Sequence, residues 1–180
     1  MNVAIIGASG QTGTRLIAEG LKRGHEIIAV ARTPENIASD DPRVQKRKGD
    51  AFDRQSMIDG LAGADAVVTT IGKTNLMDKR YTLNTEGHQN VVEGMRAHGI
   101  QRLVPISSLG AAVGIKRPGI RRNVYLFLRR KYYGDMNQME KEVLSSGLNV
   151  SVVRAPMLHN EAAKHAYSLV EGNVLPKGSN

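Results

Sequence analysis

The chain has 180 residues and no cysteine, with 25 Lys+Arg against 17 Asp+Glu, a formal net charge of +8 with neutral histidines. That length suits one domain with a real core, and the lack of cysteine excludes disulfides and thiolate metal sites and points to a reducing cytoplasm. The first apolar run is short and carries no basic leader, so no signal peptide is expected, and no apolar stretch approaches the roughly 20 residues that cross a bilayer.

Val3–Ile6 is apolar without polar alternation, as in a strand buried on both faces. Thr14–Arg23 follows as a helix with Leu16, Ile17, Gly20 and Leu21 on one face, and Gly24 stands at its C-terminal end. Glu26–Ala31 predicts a second strand, and Thr33-Pro34-Glu35 an N-cap with proline at the first helical position. Arg43–Lys48 (RVQKRK) has only Val44 as an apolar residue, which makes it a poor buried strand but an acceptable charged edge. Asp53 can cap a helix to about Leu61, and Ala66–Ile71 is a strand. Tyr81–His98 carries Leu83, His88, Val91, Val92 and Met95 at helical intervals and is ended by Gly99. In the strand Arg102–Ser107, Pro105 has no N–H for the ladder and predicts a local irregularity. Gly110–Arg130 is the least regular stretch; Asp135–Ser146 is helical, and Asn149–Arg154 is the last strong strand. The β-α-β-α order predicts a doubly wound parallel sheet with helices on both faces, joined by right-handed crossovers.

The turn between the first strand and first helix reads Gly7-Ala8-Ser9-Gly10-Gln11-Thr12-Gly13. A helix N-terminus there presents unpartnered N–H groups and the positive end of the dipole. Gly7 permits the tight turn, Gly10 close approach of a diphosphate, and Gly13 helix-to-sheet packing, while Ser9, Gln11 and Thr12 add donors. The spacing is GxxGxxG rather than GxGxxG, and a glycine-rich turn without a ligand is the plain alternative. The residue ending the second strand, where an acidic group would receive a ribose hydroxyl, is Arg32. A cation there suits a 2′-phosphate, hence NADP(H); the alternative is an ordinary surface arginine. Asp50, after Gly49, can accept from an adenine amino group, and Thr70-Ile71-Gly72 is expected to border the middle of the cofactor.

These features resemble the atypical short-chain dehydrogenase/reductase superfamily, most closely the NmrA-like, NAD(P)H-binding branch that includes biliverdin-IXβ reductase/flavin reductase. Its carriers are GASGQTG at 7–13, AR at 31–32, GD at 49–50, TIG at 70–72, NTEGHQNVVEGMRAHGIQRLVPISS at 84–108 and EVLSSGLNVSVVRAP at 142–156. The resemblance implies a single NAD(P)-binding Rossmann domain over residues 1–180. It places the phosphates on Gly7, Ser9, Gly10, Gln11 and Thr12, the 2′-phosphate on Arg32, the adenine on Asp50 and Ala51, and the ribose on Ile71 and Gly72. Ser107 and Ser108 would sit near the nicotinamide, with Ser108 as the catalytic candidate. Two departures stand out. No tyrosine has lysine four residues on, because positions 85, 129, 136, 137 and 171 are Thr, Arg, Met, Asn and Glu. Histidines near the bilin of the flavin reductase are replaced by Met136 and Met157, and His159 reads as a loop histidine. The family pattern continues beyond Val170 into another strand and helix, so a shortened C-terminal part is expected, with apolar surface that invites self-association.

The leading expectation is an NADPH-dependent reductase acting on a flavin, quinone or tetrapyrrole-like acceptor, with no metal. Acceptors that need little enzymic proton donation suit a site without a Tyr/Lys pair. Arginines 117, 121, 122, 129 and 130 either attract an anionic acceptor or face solvent. The second reading is a non-catalytic NADP(H)-sensing protein. Nucleic-acid binding is disfavoured, because the few aromatics do not interleave with the basic residues.

Overall fold

The computed structural model describes residues 1–72, 82–109, 111, 130–156, 158 and 172. Strands β1 (Asn2–Ile6), β2 (Glu26–Ala31), β3 (Val44–Lys48), β4 (Ala66–Thr69), β5 (Arg102–Ser108), β6 (Asn149–Val150) and β7 (Val153–Ala155) alternate with helices α1 (Gln11–Lys22), α2 (Arg54–Leu61), α3 (Leu83–Ala97) and α4 (Arg130–Leu144). The sheet is parallel in the order β3-β2-β1-β4-β5-β6, with β7 also on β5. The order reverses at β1, so the crevice between the carboxyl ends of β1 and β4 is the switch point at which ligands bind in such sheets.

The apolar side chains of β1 and β2 split between two cores, as the strand period dictates. Ile5, Ile27, Ala29 and Ala31 pack with Ile17 of α1 on one face. Ala4, Ile6, Ile28, Val30, Val67 and Leu103 pack with Met57, Leu61, Val91, Met95, Met139 and Val143 of α2, α3 and α4 on the other. β3 is the edge strand that its cations suggest, and Arg47 turns its guanidinium to the Gly60 and Ala62 carbonyls at the end of α2.

Pro105 has the expected effect on the last ladder. Ser151 donates to the Leu103 carbonyl at 3.0 Å. The next donor on that side of β5 would be Pro105, which has none. Pairing therefore stops and resumes as a separate strand in unchanged register, Leu103↔Val150 before the break and Ile106↔Val153 after it.

Four boundaries differ from expectation. α1 begins at Gln11 rather than Thr14, because Gly10 serves as its N-cap and accepts from Thr14 N at 2.9 Å. Thr33 leads only into a 3-10 turn, Pro34–Asn36, with no side-chain cap. β4 ends at Thr69, where Thr70 turns back to β1. α4 starts at Arg130, within the stretch read as irregular. The expected C-terminal shortening falls beyond Pro156, outside the described residues apart from Leu158 and Gly172.

Candidate functional site

Two of the three glycines in the first turn are required by the fold itself. Gly7 has φ +82°, and a Cβ there would lie 2.7 Å from Thr70 Oγ1. A Cβ on Gly13 would lie 2.4 Å from the Gly7 carbonyl oxygen, so only glycine lets α1 sit this close to the turn. Gly10 is different, because its Cβ would meet only that same oxygen, at 3.2 Å. That contact is tight, but among the described residues no other atom lies within 4 Å of that Cβ, which leaves the rest of the Gly10 face for a ligand to approach. The turn is clamped from below, since Gly7 N and Ala8 N both donate to the Val30 carbonyl at 3.0 and 3.1 Å.

Above the turn stands the N-terminus of α1. No side chain caps it and its first turn holds no acidic residue. The N–H groups of Gln11, Thr12 and Gly13 have no intrahelical partner there, and the helix dipole adds positive potential. Ser9 and Gln11 are exposed and Thr12 is half-buried at the same rim. This cradle fits a diphosphate on its own chemistry: a bare helix N-terminus, an open glycine face and hydroxyl donors.

Arg32 follows the last residue of β2 and is exposed, with no hydrogen bond or ion pair to the described residues. Next to it, β3 ends at Lys48, and the following Gly49 is buried so closely that a Cβ there would lie 2.3 Å from Val30 Cγ1. Asp50 then uses one carboxylate oxygen to accept from Phe52 N at 3.0 Å, while its own N–H donates to Ser56 Oγ. Asp53 caps α2, as its position suggests, by accepting from Ser56 N. The Ala51 carbonyl accepts from Asn90 Nδ2 at 2.7 Å, and a Cβ on Gly87 would meet Ala51 Cβ at 3.1 Å and Ile71 Cδ1 at 3.5 Å. Gly87 and Asn90 of α3 thus hold Ala51 and Ile71 together. Neither had been singled out from sequence, although Gly87 sits mid-helix where a glycine has a cost to explain.

Thr70 has a structural task as well. Its hydroxyl lies 3.0 Å from the Ile6 carbonyl and 3.1 Å from the Gly7 carbonyl, so it fastens β4 to the glycine turn. Ile71 is half-buried and Gly72 exposed beside it.

At the end of β5, Ser107 is 3% exposed and its Oγ has no hydrogen-bond partner among the described residues. A buried hydroxyl without a partner is uncommon. Ser108 is half-buried. A polar network that hydrophobic periodicity does not disclose joins α3 to β4 and α4. His88, read from sequence as one of the regularly spaced positions of α3, is buried; its Nδ1–H donates to the Asn84 carbonyl at 2.7 Å, so Nε2 accepts from Thr69 Oγ1 at 2.6 Å. Burial pushes its pKa down to about 4, against smaller upward effects of the Asn84 carbonyl and the Asp135 charge. Asp135 of α4 accepts from Asn84 N, Asn84 Nδ2, Thr85 N and Thr85 Oγ1 at 2.6–2.9 Å, so a carboxylate from one helix caps the next. Further along α4, Glu140 receives a bidentate pair from Arg154 at 2.7–3.1 Å. That hydrogen bond and, to a smaller extent, the negative charge of Glu140 raise the Arg154 pKa, against the opposing effect of burial.

The site residues at the ends of β1, β2, β3, β4 and β5 therefore stand along one edge of the sheet. Arginines 117, 121, 122 and 129, Tyr125, Met157 and His159 lie outside the described residues, and Arg130 opens α4. Met136 is buried at the position four after Tyr132. Among the described residues there is no cluster of metal-ligating side chains, and no helix is long and apolar enough to cross a membrane.

Comparison with known proteins places this geometry. The NAD(P)H-binding family matches residues 7–180, and the chain belongs to that family. An uncharacterized chloroplastic protein of Arabidopsis thaliana is 31% identical over 191 residues, covering 98% of this chain and 66% of that protein. Sterol demethylase protein B of Methylococcus capsulatus is 31% identical over 124 residues, or 66% of this chain and 38% of that one. The chain thus spans only part of these relatives. Among solved structures, a short-chain dehydrogenase/reductase of Veillonella parvula in complex with NADP superposes with TM-score 0.77 at 20% identity, over 93% of this chain and 74% of that one. The oxidoreductase ylbE of Lactococcus lactis gives TM-score 0.79 at 18% identity, over 91% and 73%. At such identities the likeness is one of fold: this chain has a Rossmann-type fold.

Proposed function

We propose that residues 1–180 act as one NAD(P)H-binding Rossmann domain of an NADPH-preferring oxidoreductase, with a flavin, quinone or similar conjugated molecule as acceptor. The observation that carries the reading is the uncapped N-terminus of α1 over the open face of Gly10, with the unpaired Arg32 beside it. In this reading the backbone of Gln11, Thr12 and Gly13 receives the diphosphate, Arg32 the 2′-phosphate, Asp50 and Ala51 the adenine, and Ile71 and Gly72 the adjoining ribose. Thr70 acts indirectly, by holding the turn. The bound reduced nicotinamide supplies hydride. Ser107, whose buried hydroxyl has no partner among the described residues, and Ser108 face the reacting end, where a hydroxyl can hold an acceptor atom by hydrogen bonding. Similarity to 2-alkyl-3-oxoalkanoate reductase of Stenotrophomonas maltophilia, 33% over 113 residues and 33% of that protein, agrees with reductase chemistry. The likeness to the flavin-reductase branch adds the acceptor class, and a cytoplasmic location fits a chain without cysteine.

A charge-assisted hydrogen bond from Arg32 contributes about 1.5–3 kcal/mol, a preference of about 10- to 150-fold for NADPH over NADH. Calorimetric titration of both cofactors, repeated on Arg32→Asp, tests it. Equal affinities in the wild type, or an unchanged preference in the variant, refute the NADPH assignment. Turnover is read with NADPH and FMN, menadione or dichlorophenolindophenol, in the wild type and in Ser108→Ala. One observation favours a second reading, an NADP(H) sensor without catalysis: Met136 fills the place four residues after Tyr132 where a lysine would assist proton transfer. Cofactor binding without turnover on any acceptor selects that reading.

A further inference from the structure

We infer that Lys48 is a second determinant of cofactor choice, forming with Arg32 a two-cation clamp for a phosphate at the carboxyl end of the β2–β3 pair. The inference rests on the NADPH reading above and extends it to a residue on another strand.

The register places it. Lys48 is the parallel partner of Ala31, the residue before Arg32, and the two strand ends are tied by Gly49 N donating to the Ala31 carbonyl at 2.9 Å. Partners in register point to the same face of a sheet. Ala31 belongs to the core cluster that packs with Ile17 of α1, so Lys48 lies on the side of the sheet that carries α1. The bare N-terminus of α1 is on that side too. A phosphate held by Arg32 would lie at the same strand ends as Lys48, since Arg32 follows Ala31 and Lys48 is the register partner of Ala31.

Charge accounting separates Lys48 from its neighbours. Arg43 is held by Asp41 and the Leu21 carbonyl, Arg47 by the Gly60 and Ala62 carbonyls, and Lys46 stands 3.9 Å from Asp40. Lys48 and Arg32 are exposed and have no such partner among the described residues. Asp50, two residues on, gives one carboxylate oxygen to Phe52 N rather than to Lys48. An edge strand needs cations to block pairing, and Lys46 alone would serve that end. It does not explain a free lysine at the last position, beside Arg32 and just before the adenine-side residues.

The test is titration of NADPH and NADH against the wild type, Lys48→Gln, Lys48→Arg and Lys46→Gln, at low and at physiological salt. An exposed ionic contact is worth little, so Lys48→Gln should weaken NADPH by about two- to fivefold, with less loss at higher salt. NADH should be unaffected, Lys48→Arg should retain NADPH affinity, and Lys46→Gln should change it by much less. Equal weakening of NADPH and NADH by Lys48→Gln, or no change in either, overturns the inference. So does an equal effect of Lys46→Gln, which would mark a diffuse surface field. A wild type with no NADPH preference refutes the underlying cofactor assignment instead, whereas a preference that Arg32→Asp removes and Lys48→Gln leaves intact refutes the clamp alone.

Discussion

His88 makes the protein's stability dependent on pH in a calculable way. In the fold it is a neutral imidazole, Nδ1–H toward the Asn84 carbonyl and Nε2 toward Thr69, with a pKa lowered by burial from 6.5 to about 4. In the unfolded chain it regains its ordinary value. Between those two values the unfolded state binds more protons, so stability rises with pH there and falls as pH drops through 6.5 toward 4. A shift of that size corresponds to about 3 kcal/mol below the folded pKa, of which about 2 kcal/mol is lost between pH 7 and pH 5. Carboxylates titrate mainly below this window, and the other histidines are common to any variant. Urea unfolding of the wild type and His88→Gln at both pH values isolates the effect. Glutamine retains a donor and an acceptor without titrating, so the variant should lose about 2 kcal/mol less than the wild type on acidification. Equal losses in the two proteins would show that His88 is protonated, or accessible, in the folded state.

Gly10→Ala should destabilise less than Gly13→Ala, because its Cβ meets the Gly7 oxygen at 3.2 Å rather than 2.4 Å, yet bind NADP(H) much more weakly; calorimetry and thermal melting separate the two. Gly13→Ala should instead destabilise by about 1–3 kcal/mol or more, as an overpacked contact does, since its Cβ meets the Gly7 oxygen at 2.4 Å; an unchanged melting temperature would contradict the geometry. Thr70→Val removes the hydroxyl bonded to the Ile6 and Gly7 carbonyls and should cost about 1 kcal/mol in urea unfolding, with a parallel loss of cofactor affinity. Arg154→Met leaves the buried Glu140 carboxylate without its guanidinium and should cost about 3–5 kcal/mol, read in the same way.

Most of the sheet was legible because strands buried on both faces read as plain apolar runs, and because Asp53, Gly24 and Gly99 punctuate helices in the usual way. Pro105 was legible for a covalent reason, a missing N–H. The start of α1 was not, since Gly13 is a poor helix former and only its contact with Gly7, made in three dimensions, places it inside the helix. The start of α4 was hidden similarly, because Arg130–Gly134 lacks the apolar spacing seen from Met136 onward. At the candidate site, the glycines, Arg32, Asp50 and the two serines were read as candidates from their positions at strand ends. Asn84, Asp135 and the role of His88 were not, because their contacts join α3 to β4 and α4, and Asp135 stands 51 residues from Asn84. The bond of Thr70 to the turn was missed for the same reason, as it closes a loop of 64 residues.

The carboxylate of Asp135 on the N-terminus of α3 has a consequence for how this protein can change. Two helices that are distant in the chain are joined directly, so the position of α4 relative to α3 and β4 does not depend on the segment that leads from β5 into α4. A change that leaves Asp135, Asn84 and Thr85 in place keeps that junction, so the start of α3 and the head of α4 move, if at all, as one unit.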